Sequence, residues 1–519
     1  MDKNINNREN NMNTYIIRNL KLLSFFIILI LISCDNTVTE YSGDSRYANI
    51  FPDYKDIVIP PNIAPLNFII NEKGTNYHVE IYTENSKKIV LQQTSPKLRI
   101  PLDPWRKLLM QSKGKVLKFD LYVKNEKWTK FATMKDSIAS EPIESYMAYR
   151  LINQSYIFWK KMGIYQRNLE NFDESPVYLN SVANDGCVNC HAFCNGDPQK
   201  MVMHFRQSYP GTMLWASNKL TKLNTKTNYT MSAFVYPAWH PGGNYIAFSV
   251  NMINLYFTAN RNSFAEVSDK VSDIVVYNLK TNTVTTSPKI STKRRENSPT
   301  WSPDGKWLYF ISAPEAVEGS LQSRNWTKYS LLRIPYDTAN NTWGDVDTVL
   351  SSKQTGLSIS SPVISPDGRY ILFCMTPYGY FTVFDKLSDL YILDLTTNQY
   401  HKLDINSEST ESYHCWSRTG RWILFSSKRL DDIHSRPYFA YFDKTGKTYK
   451  PFILPQKDPS FYFTFLENYN RPELIKGKIN LNPRQVRDLV YSQAEDVNFD
   501  TSVNVDALSG ATWIEKHPN

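Results

Sequence analysis

A chain of 519 residues with 41% hydrophobic and 21% charged positions is long enough for at least two packed domains and too apolar to be a disordered one. Its net charge of +9 is spread without a run of like charge, which fits solubility and leaves nucleic-acid binding without support. With only six cysteines and eight histidines, any tight Cys–His grouping is informative.

Lys3, Arg8, Arg18 and Lys21 form a basic leader, followed by an apolar run from Leu22 to Ile32 interrupted only by Ser24. The run is too short to span a bilayer comfortably and ends at Leu31-Ile32-Ser33-Cys34, with a small residue before a cysteine. That tetrapeptide resembles the bacterial lipobox, and the resemblance implies export, cleavage before Cys34 and diacylation of its thiol. Two or three acyl chains, at about 0.8 kcal/mol per buried methylene, anchor a protein to a lipid membrane, at the periplasmic face or the cell surface. An ordinary secretory signal is the alternative. Residues 1–33 are read as the signal peptide; its loss removes four bases and two acids and leaves a net +7.

Residues 34–55 are polar and read as a tether. From 56 to 138 the period is two: Leu117, Phe119, Leu121 and Val123 alternate with Lys118, Asp120, Tyr122 and Lys124. One helix interrupts, with Asp103 as N-cap, Pro104 at the first helical position and Trp105, Leu108 and Leu109 on one face. This segment predicts a β-sandwich-like domain, with His78 on its solvated face. Residues 139–200 carry Tyr146, Tyr149, Tyr156, Phe158, Trp159, Tyr165, Phe172 and Tyr178 and read as an aromatic connector, partly helical around Met147, Leu151 and Ile152, packed between the flanking domains.

Within that connector lies Cys187-Val188-Asn189-Cys190-His191, a C-x-x-C-H string expected by chance only about 0.001 times in this composition. It is the attachment signature for c-type haem: two thiols add to the porphyrin vinyls and His191 ligates the iron. Export places it where such attachment occurs in bacteria. His204, Met203 and Met213 are the candidates for the sixth iron position. Three alternatives stay open. Cys194 completes a cramped Cys₃His zinc set with Cys187, Cys190 and His191; two of the thiols pair as a disulfide; or the pair is redox-active, although the βαβ context for that is absent. Cys374 and Cys415 sit in apolar strands and read as small buried hydrophobes.

Residues 201–475 repeat. Pro237-Ala238-Trp239-His240-Pro241-Gly242-Gly243, Pro299-Thr300-Trp301-Ser302-Pro303-Asp304-Gly305, Pro362-Val363-Ile364-Ser365-Pro366-Asp367-Gly368 and Cys415-Trp416-Ser417-Arg418-Thr419-Gly420 each lead into an apolar strand. Proline, aspartate and glycine at these offsets build a tight turn, and four strands per repeat make a propeller blade. The S-P-D-G turns resemble the WD40-like repeats of TolB-type propellers. Together with Cys187, Cys190 and His191, they resemble a family of bacterial lipoproteins that pair a C-x-x-C-H motif with such a propeller; the resemblance implies haem binding and electron transfer. The fold expected is mainly β, a sandwich-like domain followed by a propeller of about six blades (five to seven), with residues 201–230 and 440–475 supplying the blades beyond the four clear repeats. Residues 476–519 form an extension that covers a face or frays.

No hydrolase elbow, H-E-x-x-H or phosphate loop occurs; the nearest look-alike, Gly356-Leu357-Ser358-Ile359-Ser360, lacks its second glycine. His240 and His414 read as structural histidines on the axial face. Two functions remain: a membrane-anchored c-type cytochrome-like lipoprotein that docks a redox partner on its propeller, or a non-haem propeller lipoprotein that binds an exported protein or glycan, its cysteine cluster being a disulfide or zinc site.

Overall fold

The computed structural model describes residues 38–153, 161–257, 265–316 and 327–510; the leader and Cys34 lie outside them. The first domain packs a seven-stranded sheet against a three-stranded one, Phe68 of the small sheet meeting Phe119 of the large one edge to face at 6.2 Å. Its helix, Leu102–Gln111, begins one residue before the expected cap: Pro101 is the N-cap and no side chain closes it. Trp105 is fully buried and donates its indole N–H to the Ile63 carbonyl at 2.9 Å.

Two expectations for this domain are corrected. The stretch before residue 56 is not simply a tether. Ile50–Phe51 pairs with Phe68–Ile70, and Ala48, Ile50 and Tyr54 are core residues, so the domain begins earlier than its polar composition indicates. His78 is fully buried, not solvated, because its strand is central and Tyr122 and Trp128 cover its outer face; the ring meets Glu80 Oε1 at 3.3 Å.

The remainder is a six-bladed propeller. Taken by their innermost strands, the blades begin at Val188–Phe193, Val235–Trp239, Arg295–Trp301, Ser358–Ile364, Glu411–Trp416 and Asn468–Ile475. The sixth blade joins distant parts of the chain: Asn468–Ile475 pairs antiparallel with Tyr146–Ile152, which continues through Met162–Asn168 to Glu174–Leu179. The described part of the aromatic segment is therefore not a connector, and Tyr146–Ile152 is a strand, not a helix; Tyr156, Phe158 and Trp159 lie outside the described residues. Tyr149, Tyr165 and Tyr469 find their partners within this one sheet and its neighbours.

Indoles tie successive blades. Trp239 donates to the Ala192 carbonyl at 3.2 Å, Trp301 to Ala238 at 3.1 Å and Trp416 to Val363 at 3.2 Å; the fourth blade has Ile364 at this place. The S-P-D-G turns behave as expected, with Gly305 and Gly368 at φ 73° and 74° and the serine hydroxyls on Asp304 and Asp367. His240 occupies the serine position of the second blade. Its Nδ1 accepts from Gly242 N–H at 3.0 Å, so its Nε2 donates to the Gly305 carbonyl at 3.1 Å.

The first domain rests on the fifth and sixth blades through one continuous apolar core, with Trp422 donating to the Glu141 carbonyl and Tyr54 to that of Ile453. The tail covers the outer rim. Asn482 caps the helix Pro483–Tyr491, whose Val486 and Val490 bury against the first and sixth blades. Glu495–Asp496 and Asn498–Phe499 then add parallel edge strands to the first and second blades.

Replacing Trp301 by Phe leaves the Ala238 carbonyl without its donor between blades. Chemical denaturation is expected to show a loss of about 1–3 kcal/mol, whereas Ile364→Val, where no such bond exists, costs about 1 kcal/mol.

Candidate functional site

Each innermost strand carries a bulge at the same height, and at each bulge one residue has positive φ: Cys190 (52°), Tyr236 (50°), Ser298 (51°), Ser361 (50°), Tyr413 (36°) and Arg471 (49°). A left-handed backbone costs a non-glycine residue roughly 1–2 kcal/mol, so a ring of six is a costly feature of the kind that collects around ligand sites. Proline follows in four blades, at Pro237, Pro299, Pro362 and Pro472. It has no N–H to offer a ladder, and a bulge leaves that donor unused. In the other two blades the follower is histidine, His191 and His414.

Four residues of the C-x-x-C-H string, Val188 to His191, therefore belong to the first blade's innermost strand, and Cys187 lies just ahead of it. Cys190-His191 occupies the bulge, and Cys194 occupies the turn position held by His240, Ser302, Ser365 and Ser417: its N–H donates to Lys200 O at 3.0 Å as that of Ser302 does to Trp307 O at 2.9 Å. Cys194 Sγ faces the His240 carbonyl at 3.8 Å. Cys187 packs at the edge of the apolar cluster between the first and sixth blades, and burial raises its thiol against the lowering effect of Arg150 and Arg206. All five described cysteines are free thiols. Among the described residues no three His, Cys, Asp or Glu side chains converge in a metal-binding group, so the Cys187, Cys190, His191 and Cys194 set is not brought together.

His191 is fully buried. A hydrogen bond ties its ring to the Arg471 backbone, Nε2 has no partner, and burial with the nearby Arg471 and Arg150 charges lowers its pKa to about 3. The sixth-ligand candidates lie one strand or two strands outward. Met203 and Met213 face each other across the ladder inside the apolar cluster with Met201 and Phe205. His204, on the opposite face by strand alternation, holds Thr212 Oγ1 through Nδ1 at 3.0 Å, and burial takes its pKa to about 3.

Inside the ring lies a cavity of about 270 Å³. Its wall includes Tyr236, Ser298, Ser361, Tyr413, Arg471 and Glu473, and Tyr380 and Phe381 from the fourth blade close over it. That cover is pinned by Asp269, fully buried on the second blade's long hairpin, which accepts from Asn251, Asn297, Tyr329 and Tyr380 at 2.7–3.1 Å. Burial pushes the Asp269 pKa up and the four donors oppose it. Glu473 accepts from Phe193 N–H at 3.0 Å, and burial brings its pKa up to about 7.

Arg471, Glu473, Tyr413 and Tyr380 were not singled out from the sequence. The signal that reaches Arg471 is the proline after the bulge: Arg471-Pro472 repeats Ser298-Pro299 and Ser361-Pro362, in a strand that lacks the S-P-D-G turn.

No protein-family model matches the chain, and neither does any curated protein. Solved structures similar to it include the tricorn protease (12% identity, 66% of this chain and 34% of that one, TM-score 0.33). The Swd1 β-propeller domain from Myceliophteria thermophila is similar at 11% identity over 50% of this chain and 65% of that one, TM-score 0.30. Oligogalacturonate lyase in complex with manganese is similar at 13% identity over 72% and 99%, TM-score 0.31. The chain thus spans about a third of the tricorn protease chain and just under two thirds of the Swd1 chain. The propeller assignment rests on the chain's own six blades.

Burial disfavours the charged form of the His414 imidazole and lowers its pKa from 6.5 to about 4, against the raising effect of its Nε2 hydrogen bond to Leu372 O at 3.0 Å. The unfolded chain therefore takes up the proton first, and the neutral ring's contribution to stability is complete above pH 6.5 and lost as pH falls toward 4. Between pH 7 and pH 5 the wild type is expected to lose about 2 kcal/mol more than His414→Gln in urea titrations.

Proposed function

We propose that this chain is an exported lipoprotein, held to a membrane through Cys34, whose propeller binds an exported protein or glycan in its central channel. The observation that supports this reading is the cavity ringed by six strained bulges. It is concave, walled by aromatic rings and hydroxyls, covered by a pinned loop and separate from the packed cores of the blades. Surface loops on a rigid scaffold are where propellers recognise partners. In an exporting bacterial host, wild-type protein is expected in the membrane fraction with incorporated labelled palmitate, and Cys34→Ala without the label. Ser361→Trp fills the cavity and is expected to abolish the ligand signal on an array of glycans and exported proteins while leaving the melting temperature within a few degrees. Equal array signals from the two proteins would overturn the channel reading.

A second reading, haem at Cys187, Cys190 and His191, is favoured by one observation, the buried and unpartnered His191 Nε2. The surroundings fit it poorly. The adjoining cavity of about 270 Å³ falls below the roughly 300–1,000 Å³ of pockets for drug-sized ligands, and a porphyrin is larger than most of those. Met203, Met213 and His204 are committed to packing or to Thr212. Expression beside c-type maturation machinery decides it: a Soret band and covalent haem stain, lost in Cys190→Ala, would replace the binding reading with an electron carrier, whereas colourless protein would leave the binding reading in place.

A further inference from the structure

The ring is chemically uneven. At the bulge position five blades present uncharged side chains, Cys190, Tyr236, Ser298, Ser361 and Tyr413, and only the sixth presents a cation, Arg471. Two residues further along, Ala192, Ala238, Thr300, Val363 and Cys415 are uncharged, and again only the sixth blade differs, with Glu473. The bulge itself needs neither side chain, since the other five blades form it without them; Glu473 spends one oxygen on the Phe193 N–H of the first blade at 3.0 Å.

Three other arginines of this region are committed: Arg150 to Val188 O and Asn470 Oδ1, Arg429 to Glu411, Arg436 to the carbonyls of Glu467 and Phe465. Arg471, a half-buried residue that lines the cavity, has neither a side-chain hydrogen bond nor an ion pair among the described residues. Glu473, two residues away on the same strand, makes no ion pair with it either. A guanidinium taken partly out of water without a counter-ion is unfavourable, and an anion from outside removes that cost.

Extending the channel reading, on which this assignment rests, we propose that Arg471 is the carboxylate subsite of the cavity and that the ligand is a single sugar unit bearing one carboxylate. Three features select that class. A planar guanidinium pairs bidentately with a carboxylate. The wall offers the rings of Tyr236, Tyr380 and Phe381 for stacking and the hydroxyls of Ser298, Ser361 and Tyr413 for a polyol, in a space smaller than drug-sized pockets need. Glu473, an acid in the same wall that accepts from Phe193 N–H at 3.0 Å, repels negative charge on a ligand when ionised, so one carboxylate is better tolerated there than a dianion; burial, which pushes its pKa up to about 7, weakens that repulsion. Phosphate, with two charges and only one cation to meet it, fits less well. The same chemistry is offered by a free uronic acid and by the terminal unit of an acidic glycan.

Calorimetry on the detergent-solubilised full chain tests this with glucuronate, glucose, a glucuronate-terminated disaccharide and inorganic phosphate. Glucuronate is expected to bind at least tenfold tighter than glucose. Arg471→Gln is expected to erase that preference, bringing glucuronate down to the affinity that the same variant shows for glucose, with the melting temperature unchanged, and Arg471→Lys to keep part of it. Tighter binding of the disaccharide than of glucuronate identifies a chain end as the ligand, and the reverse order a free sugar; both support the subsite. Equal binding of glucose and glucuronate, blocked by Ser361→Trp, overturns the carboxylate assignment and leaves the channel reading standing. Preference for phosphate, binding by none of the probes, or an unchanged preference in both Arg471 variants also overturns the assignment, and the array signal of the Ser361→Trp protein then decides the channel reading separately.

Discussion

The pairing of Asn468–Ile475 with Tyr146–Ile152 is the contact on which the rest of the molecule depends. A propeller blade buries its faces only against neighbours, so an open ring leaves two blades half-solvated; closure with strands from both ends of the repeat region removes both exposed faces at once. Here closure also seats the first domain. Residues 139–145 lead from that domain directly into the closing sheet, and Glu141 and Glu144 take hydrogen bonds from Trp422, Tyr441 and Arg418 of the fifth blade. One apolar cluster runs from the core of the first domain into the fourth, fifth and sixth blades.

The same closing strand carries the chemistry of the channel. Arg471 and Glu473 sit where five blades have small or uncharged side chains, so charge enters the axis from one side only. Where a bulge is followed by histidine instead of proline, an imidazole replaces a rigid ring at the seam between blades. His414 uses its nitrogens on Leu372 O and Cys374, whereas His191 is tied to the Arg471 backbone and leaves Nε2 unused. The first and sixth blades, adjacent across the closure, thus hold both an imidazole with an unused Nε2 and a guanidinium without a partner among the described residues.

Reading the C-x-x-C-H string against its neighbours in the ring changes what it is evidence of. Cys190 takes the bulge, Cys194 the turn and Phe193 the place of Trp239, Trp301 and Trp416, so most of its spacing is that of a blade's innermost strand. Cys187, ahead of the strand, and the free His191 Nε2 are the parts that the repeat does not account for, and they are what keeps a haem reading testable.

Local chemistry settled much of the architecture: the S-P-D-G turns, the period-two strands and the tryptophans before three of the turns are short-range patterns that specify blades wherever they fall. Those patterns located four blades. The first blade, which begins at Val188, and the sixth were only partly legible, because neither contains the turn motif in full and the sixth brings together residues more than 300 positions apart. The channel was invisible for the same reason. Arg471 and Glu473 acquire meaning only by comparison with equivalents at Cys190, Tyr236, Ser298, Ser361 and Tyr413, and that equivalence is a property of ring geometry. Likewise His78, alternating with apolar residues, reads as solvated, since alternation reports which side a residue faces and not what covers that side. Sequence determined which strands form; only closure of the ring decided which side chains meet at its axis.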